Sequence, residues 1–440
     1  MNSELRMQAA PPNSCEYPAP GIQPGRKRED NSAGSRKSAP AIARRATIPI
    51  LIIVENLPVP EDGRVWREAC ALRDAGYRVS VICPKGKGRS STGYETLEGI
   101  DIHRHPAWEA STKAGYLLEY SWALVAEFYL TLKVFVRTRF RILQACNPPD
   151  TVFLLALFYK LLGVRFVFDH HDLSPELFEA KFGRKTGILY RLIALAERCS
   201  FKAANVSIAT NETFRELAIN RGGKRPEQVF VVRNCPDLKK LTRMAPRPEI
   251  KRDKQFMVVY VGYMGTQDGL FLLLDSIEHL VGRCNRRDVQ FVLVGDGSEL
   301  NDLRASATAR GLEPYLTFVG KVPHEDVGLY LSSADVGVAP DPKNPLNDSS
   351  TMIKIFEYMA FGLPVVLFDL KEGRRIASAA ALYACPNDTI DFANQIAKLL
   401  DTPELRQRLG NKGLSYVEER LNWETELKML LNAYEKALSC

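Results

Sequence analysis

Short apolar runs alternate with amphipathic stretches along most of the chain, and this rhythm sets the expected fold. The run Ile48-Pro49-Ile50-Leu51-Ile52-Ile53-Val54 suits a strand buried on both faces. A polar loop over 55–63 leads into an amphipathic helix over 65–75 closed by Gly76, and Tyr77-Arg78-Val79-Ser80-Val81-Ile82-Cys83 forms the next strand. A strand, helix, strand unit with connections this short predicts parallel strands and a right-handed crossover. The pattern continues through a strand near 100–105, a long helix over 115–139, a strand at 141–145 and a break at Asn147-Pro148-Pro149-Asp150. After a further helix come the strand 164–169, ending in His170-His171-Asp172, the helix 187–203, the strand 205–209, the helix 211–221 and the strand 229–232.

Between 237 and 255 the chain turns to Lys, Arg and Pro, which predicts a linker. The same alternation then restarts. Strands are expected at 256–261, 289–294, 316–319 and 335–339, with helices at 270–284 and 299–311. Over 345–366 a polar loop holding Asn347, Asp348, Ser349 and Ser350 precedes a helix that Gly362 ends, and Pro364-Val365-Val366-Leu367-Phe368 starts a strand. The predicted class is α/β, with two Rossmann-like, doubly wound parallel-sheet domains at 48–240 and 253–420. Residues 421–440 are expected to form a helix returning to the first domain. In such sheets ligands lie at the carboxyl ends of the strands.

Composition changes this picture little. The net charge is +7, but residues 1–47 carry eight Lys/Arg against four Asp/Glu, so more than half of it sits in that segment. The segment is rich in Pro, Ser, Ala and Gly without a hydrophobic period and reads as a disordered basic tail. The nearly balanced body argues against nucleic-acid binding. Nine scattered cysteines without a Cys-x-x-Cys pair predict reduced thiols, and neither a signal pattern nor an uncharged run of 18 apolar residues occurs. A cytoplasmic protein, working at the inner face of the plasma membrane, is the expectation.

Chemistry concentrates after the strands. The helix start near 350–354 would offer free N–H groups and a partial positive charge suited to phosphate, and Lys354 and Glu357 share one face of that helix. Gly262 and Gly265 fit a loop whose backbone approaches a ligand closely, while Gly295 and Gly297 fit a turn that could also touch a nucleotide. His171 ends a strand, with Asp172 next to it as a carboxylate able to orient its ring. Arg64 and Glu68 lie one helical turn apart, either as an intrahelical ion pair or as acceptor contacts. His103, His105, His279 and His324 show no metal-ligand spacing and read as surface or packing residues.

Five ordered motifs carry a resemblance. Val261-Gly262, Leu293-Val294-Gly295-Asp296-Gly297, Phe318-Val319-Gly320-Lys321-Val322, Ala334-Asp335-Val336-Gly337-Val338 and the run from Lys354 through Glu357 to Val366 resemble the nucleotide-sugar domain of family 4 glycosyltransferases. Asp62-x-Arg64-Val65-Trp66-Arg67-Glu68-Ala69 and Asp169-His170-His171-Asp172-Leu173-x-Pro175-Glu176 resemble the acceptor domain of its polysaccharide-building members. The resemblance implies a GT-B fold, a nucleotide diphosphate sugar donor, and retaining transfer without a metal or other cofactor.

By the same resemblance Glu357 is the second Glu of the Glu-x7-Glu signature and accepts hydrogen bonds from the ribose. The first Glu falls on Ser349, and Asp348 is the neighbouring carboxylate able to replace it. Lys321 and Val322 would hold the base through backbone groups. His171 would face the reaction centre, with His170 as its adjacent alternative. Tyr263 and Asp268 stand where many members carry Arg and Lys. Lys354 and the N–H groups of Ser350, Thr351, Met352 and Ile353 would therefore balance the leaving diphosphate.

The acceptor implied is a lipid-linked glycan. The apolar and basic mixture over 174–196 could lie on an anionic membrane. Two rivals remain: a nucleotide-sugar epimerase on the same scaffold, and a non-catalytic partner of a polysaccharide assembly complex.

Overall fold

In this computed structural model, residues 48–86, 88–106, 113–183, 187–241 and 243–440 are described. The basic segment 1–47 lies outside them, as do the side chains of Lys181, Phe182, Arg184 and Lys185.

The first strand, β1 (Pro49–Ile53), is buried on both faces as its apolar run requires. Asp62 then caps α1 (Gly63–Asp74), its Oδ1 accepting from Val65 N at 3.0 Å, and Gly76 follows at φ 91°. The chain continues through β2 (Arg78–Pro84), β3 (Tyr94–Leu97), β4 (Ile100–His105), α2 (Lys113–Thr138), β5 (Ile142–Cys146), α3 (Phe153–Leu161) and β6 (Arg165–His170). After α4 (Ser174–Phe182) and α5 (Ile188–Ala203) come β7 (Val206–Ala209), α6 (Glu212–Asn220) and β8 (Val229–Val231). The eight strands run in the order β3-β4-β2-β1-β5-β6-β7-β8. All pairs are parallel except β3 with β4. That antiparallel edge departs from the purely parallel expectation, because β3 is a short, polar, half-exposed strand without the buried apolar run that marks its neighbours.

The second half contains β9 (Phe256–Val261), α7 (Leu270–Gly282), β10 (Val289–Val294), α8 (Leu300–Ala309), β11 (Leu316–Gly320), α9 (His324–Ser333) and β12 (Val336–Ala339). It continues with α10 (Pro345–Ser349), α11 (Ile353–Ala360), β13 (Val365–Phe368), α12 (Lys371–Ala377), β14 (Ala381–Ala384), α13 (Thr389–Asp401) and α14 (Pro403–Glu419). Its sheet is wholly parallel, in the order β11-β10-β9-β12-β13-β14. Strand order reverses between β9 and β12, which places a ligand crevice at their carboxyl ends.

The last helix, α15 (Trp423–Ser439), packs on the first sheet. Leu430, Ala433, Tyr434 and Ala437 join the core formed by Ile50, Ile52, Val65 and Leu72. The two sheet domains also meet at the start of α6, where Asn211 Nδ2 donates to Ser349 O at 2.9 Å and to Thr351 Oγ1 at 3.0 Å. Beside it, Glu216 pairs with Lys371 at 2.9 Å and Arg375 at 2.7 Å.

Candidate functional site

The residues 345–366 depart from a single capped helix. Asn347, Asp348 and Ser349 belong to the short α10, which Asn344 caps through a 2.8 Å bond from Asn347 N. Helix α11 starts only at Ile353 and has no side-chain cap. This leaves 350–352 as an extended bridge leading into the helix N-terminus. The Ser349 and Ser350 hydroxyls bond back to Pro345 O and Leu346 O at 2.9 and 2.7 Å. Met352 is half-buried and Ile353 exposed.

Glu357 lies one turn into α11. Burial raises its carboxyl to about 7, although Lys354 and Arg67 both favour the charged form. Among the described residues its carboxylate has no hydrogen bond or ion pair. Arg67 belongs to α1 of the other domain, so part of the charge acting on Glu357 comes from across the domain boundary.

Lys354 is the second residue of α11, and its side chain turns toward two carboxylates. Its Nζ lies 2.9 Å from Asp341 Oδ1, 3.6 Å from Asp268 Oδ1 and 3.3 Å from Tyr260 Oη. Burial disfavours the ammonium, but Asp341 and Asp268 outweigh it and raise its pKa. Two carboxylates therefore already face the cation expected to balance the diphosphate. Asp268 is thus its partner as well as the occupant of a position where a cation was sought.

Asp348, the neighbouring carboxylate expected to replace the missing Glu, has one of its two oxygens engaged. Its Oδ1 accepts from Lys371 N at 2.8 Å, fastening α10 to the start of α12.

The glycine loops interlock. Gly295 has φ 141°, and a Cβ there would lie 1.8 Å from Gly262 O; at Gly297 one would lie 2.3 Å from Met264 O. These two glycines are required by contact between the loops after β9 and β10, without any ligand. Gly262, at φ 155°, faces Tyr260 Oη and Lys354 Cε, and Gly265 N donates to Asp268 Oδ2 at 3.1 Å. Lys321 is exposed just beyond β11, and Val322 is half-buried against the second domain's core.

On the acceptor side, His171 Nε2 lies 2.9 Å from Asp169 Oδ2 and 3.0 Å from Arg64 Nε. Burial opposes its charge, yet Asp169 raises its pKa overall. A protonated ring donates to Asp169 and opposes Arg64, whereas a neutral ring can accept from Arg64. The orienting carboxylate is thus Asp169 rather than Asp172, because alternation along the strand end puts residues 169 and 171 on one side. Asp172 instead meets Asn147, whose Nδ2 donates to its carbonyl at 2.7 Å.

His170 points the other way. It is fully buried among Phe168, Phe201 and Phe214, 3.3 Å from Glu197, and is a core residue rather than an acceptor contact.

Arg64 and Glu68 form the expected ion pair at 3.1 Å, but within a buried network. Arg64 also reaches Asp169 at 3.1 Å and Val232 O at 2.8 Å, while Gln144 Nε2 bridges Glu68 and Asp169 at 2.8 and 3.0 Å. Tyr434 closes the network by donating to Gln144. Arg64 and His171 hold Asp169 well below the usual carboxylate range against its burial, whereas burial and the negative Asp169 raise Glu68 to about 7. Fully buried, Glu68 cannot touch an acceptor. It positions Arg64, which in turn positions His171.

Sequence reasoning passed over Asp169, Arg67, Asp341 and Asn211. Asp169 and Arg67 stood inside the quoted motifs; Asp341 and Asn211 each follow a strand end, a signal that spacing alone does not single out. Arg67 donates to Cys235 O and has no carboxylate at ion-pair distance among the described residues.

Two Rossmann-like sheets, the second carrying the Glu357 carboxylate and the first the Arg64–Asp169–His171 network, define a GT-B scaffold. The model for "Glycosyl transferase 4-like domain" matches residues 63–235, and that for "Glycosyl transferases group 1" matches 255–402. The chain belongs to the family 4 GT-B glycosyltransferases. It is 30% identical over 160 residues to alpha-D-kanosaminyltransferase of Streptomyces kanamyceticus, covering 36% of this chain and 40% of that protein. It is 31% identical over 181 residues to phosphatidyl-myo-inositol mannosyltransferase of Mycolicibacterium smegmatis, covering 40% and 44%. The chain thus spans less than half the length of these two curated relatives. In fold it is similar to sucrose-phosphate synthase from Thermosynechococcus elongatus, with a TM-score of 0.69 at 18% identity over 89% of this chain and 99% of that one. It is also similar to Anabaena HepE in complex with UDP, with a TM-score of 0.64 at 17% identity over 88% and 100%.

Proposed function

We propose that this chain transfers a hexosyl group, with retention of configuration, from a nucleotide diphosphate sugar to a lipid-linked glycan in cell-surface polysaccharide synthesis. The observation that carries the donor assignment is Glu357, a largely buried carboxylate one turn into α11 without a hydrogen bond or ion pair among the described residues. Such a group is costly to bury alone and gains a charge-assisted hydrogen bond when a ribose hydroxyl reaches it. The UDP-bound neighbour supports a nucleotide donor in this cleft.

In the reaction the bond between the anomeric carbon and the diphosphate oxygen breaks. An acceptor hydroxyl oxygen bonds to that carbon from the same face, and its proton passes to the departing phosphate. Lys354 is already paired, so Arg67 across the cleft and the α11 N-terminus stabilise the diphosphate. His171, oriented by Asp169, contacts the transferred sugar or the acceptor.

The lipid assignment draws on exposed apolar side chains: Trp122, Val125, Tyr129 and Val136 on α2, Leu154, Leu157 and Leu161 on α3, and Ile188, Leu192 and Leu195 on α5. The Phe128 and Phe158 rings, 5.3 Å apart, join α2 to α3. Exposed Lys133, Arg137, Arg191, Arg198 and Lys202 lie on the same helices, a combination suited to an anionic membrane at its cytoplasmic face. No described helix is long and apolar enough to cross a membrane. The mannosyltransferase relative is named for a phosphatidylinositol acceptor, while another is named for 2-deoxystreptamine.

A non-catalytic partner is the second reading, favoured by Ser349 at the signature position and by the paired Lys354. Thermal-shift screening against nucleotide sugars, followed by labelled transfer to lipid-linked acceptors, separates the two. Donor-dependent stabilisation with transfer supports the enzyme; neither donor binding nor transfer with any tested pair would overturn it.

A further inference from the structure

Glu55, His105 and Glu127 meet at the carboxyl edge of the first sheet, outside the Arg64–His171 network. Glu55 lies two residues beyond β1, His105 ends β4, and Glu127 comes from α2. One ligand atom from each lies within 4.8 Å of the other two. His105 and Glu127 are buried, and Glu55 is 12% exposed in its side chain.

The hydrogen-bonding account does not close. Glu127 Oε1, Glu55 Oε2 and His105 Nε2 are buried atoms without a hydrogen bond among the described residues. His105 Nε2 approaches Glu55 Oε2 to 2.8 Å. No other described basic side chain pairs with either carboxylate. Two converging carboxylates and an imidazole, short of donors, are an expensive arrangement unless a shared proton or a cation joins them, and burial beside Glu55 already raises the Glu127 carboxyl.

We propose that Glu55, His105 and Glu127 bind one divalent transition-metal ion. Two carboxylate oxygens and one imidazole nitrogen suit Zn2+ or Mn2+ better than Ca2+ or Mg2+, which favour oxygen ligands alone. Such an ion ties α2 to the ends of β1 and β4, two strands separated in the sheet by β2. It braces the acceptor-side wall without entering the donor site, so it leaves the transfer step itself metal-independent. The ligands are 50 and 22 residues apart in sequence, which is why no local spacing announces them.

The test uses the full chain, stripped with a chelator and titrated with ZnCl2 or MnCl2, with bound metal measured by elemental analysis after dialysis. About one ion per chain and a higher melting temperature are expected. His105→Asn and Glu127→Gln should each lose that uptake and that shift. Glu127→Gln removes one of two facing carboxylates, so its metal-free form should melt no lower than metal-free wild type and remain folded for comparison. Uptake unchanged in both variants would overturn the proposal, and its loss in Cys146→Ser instead would place the ion on Cys146, Asp169 and His171. No uptake of either metal by wild type would also overturn it, leaving a proton shared between the carboxylates.

Discussion

Lys354 Nζ sits 2.9 Å from Asp341 Oδ1, so the cation expected at the phosphate end of the site is paired within the protein itself. With Asp268 at 3.6 Å, the three side chains sum to one negative charge when ionised. Removing part of that negative charge should therefore favour an anionic ligand. Asp268→Asn is expected to tighten nucleoside diphosphate binding by about tenfold at low salt, less at high salt, as read by calorimetry. Unchanged or weaker binding would show that the diphosphate does not sense this triad.

Truncating the cation has the opposite consequence. Lys354→Ala leaves Asp341 buried opposite Asp268 without its counter-charge, and should cost about 3–5 kcal/mol of stability. Lys354→Ala with Asp341→Asn should recover much of this. Denaturant unfolding of the two variants checks the coupling.

The acceptor-side network makes a similar prediction with a different readout. Arg64 is the cation facing both Glu68 and Asp169, so Arg64→Ala leaves two buried carboxylates in contact and should lower stability by about 3–5 kcal/mol. Asp169→Asn removes the main influence raising His171, and its pKa should fall in an NMR titration. A His171 titration unaffected by Asp169→Asn would remove Asp169 as its orienting partner.

Glu357 links stability to pH. Its carboxyl is raised to about 7 from an ordinary value of 4.5, so the folded state holds a proton that the unfolded state has lost between those values. Stability from this group is therefore highest below pH 4.5, falls as pH rises to 7 and is flat above, a loss of about 3 kcal/mol. Glu357→Gln should raise the melting temperature of the donor-free protein at pH 8 and have little effect at pH 4.5. The same change should weaken donor binding at pH 8 by roughly 10–100-fold, since the charge-assisted bond to ribose is lost. Stabilisation without loss of donor affinity would retire the ribose assignment.

The sheets were legible because strands buried on both faces are written as unbroken apolar runs, and the helices between them keep their own period. The edge strand β3 lacks such a run and escaped notice. Glu357 was legible because the helix and its flanking Gly and Pro are local. Partners drawn from separate strand ends were not: nothing near Lys354 in sequence indicates Asp268, and nothing near His105 indicates Glu55 or Glu127. For Asp348 the bond from its Oδ1 to the start of α12 is likewise invisible in the local sequence, because the two positions are 23 residues apart. His170 and His171 could not be separated by composition, only by which side of the strand end each occupies.

Arg67 offers the sharpest test of an electrostatic link across the cleft. It favours the charged form of Glu357, while its own pKa is lowered chiefly by burial, and no described carboxylate pairs with it. Arg67→Ala should therefore raise the Glu357 pKa further, moving the pH at which donor affinity reaches half its maximum upward from about 7. It should also weaken nucleoside diphosphate binding more than nucleoside binding, because only the former presents charge to the guanidinium. Calorimetric titrations with both ligands between pH 6 and 8.5 read the two effects together. Equal losses for both ligands would mean that Arg67 acts through the protein framework alone; a selective loss for the diphosphate, with the shifted midpoint, assigns the leaving-group charge to a residue of the opposite domain. In that case productive donor binding requires both domains, and a site built from the second domain alone would hold the nucleoside but stabilise the departing diphosphate poorly.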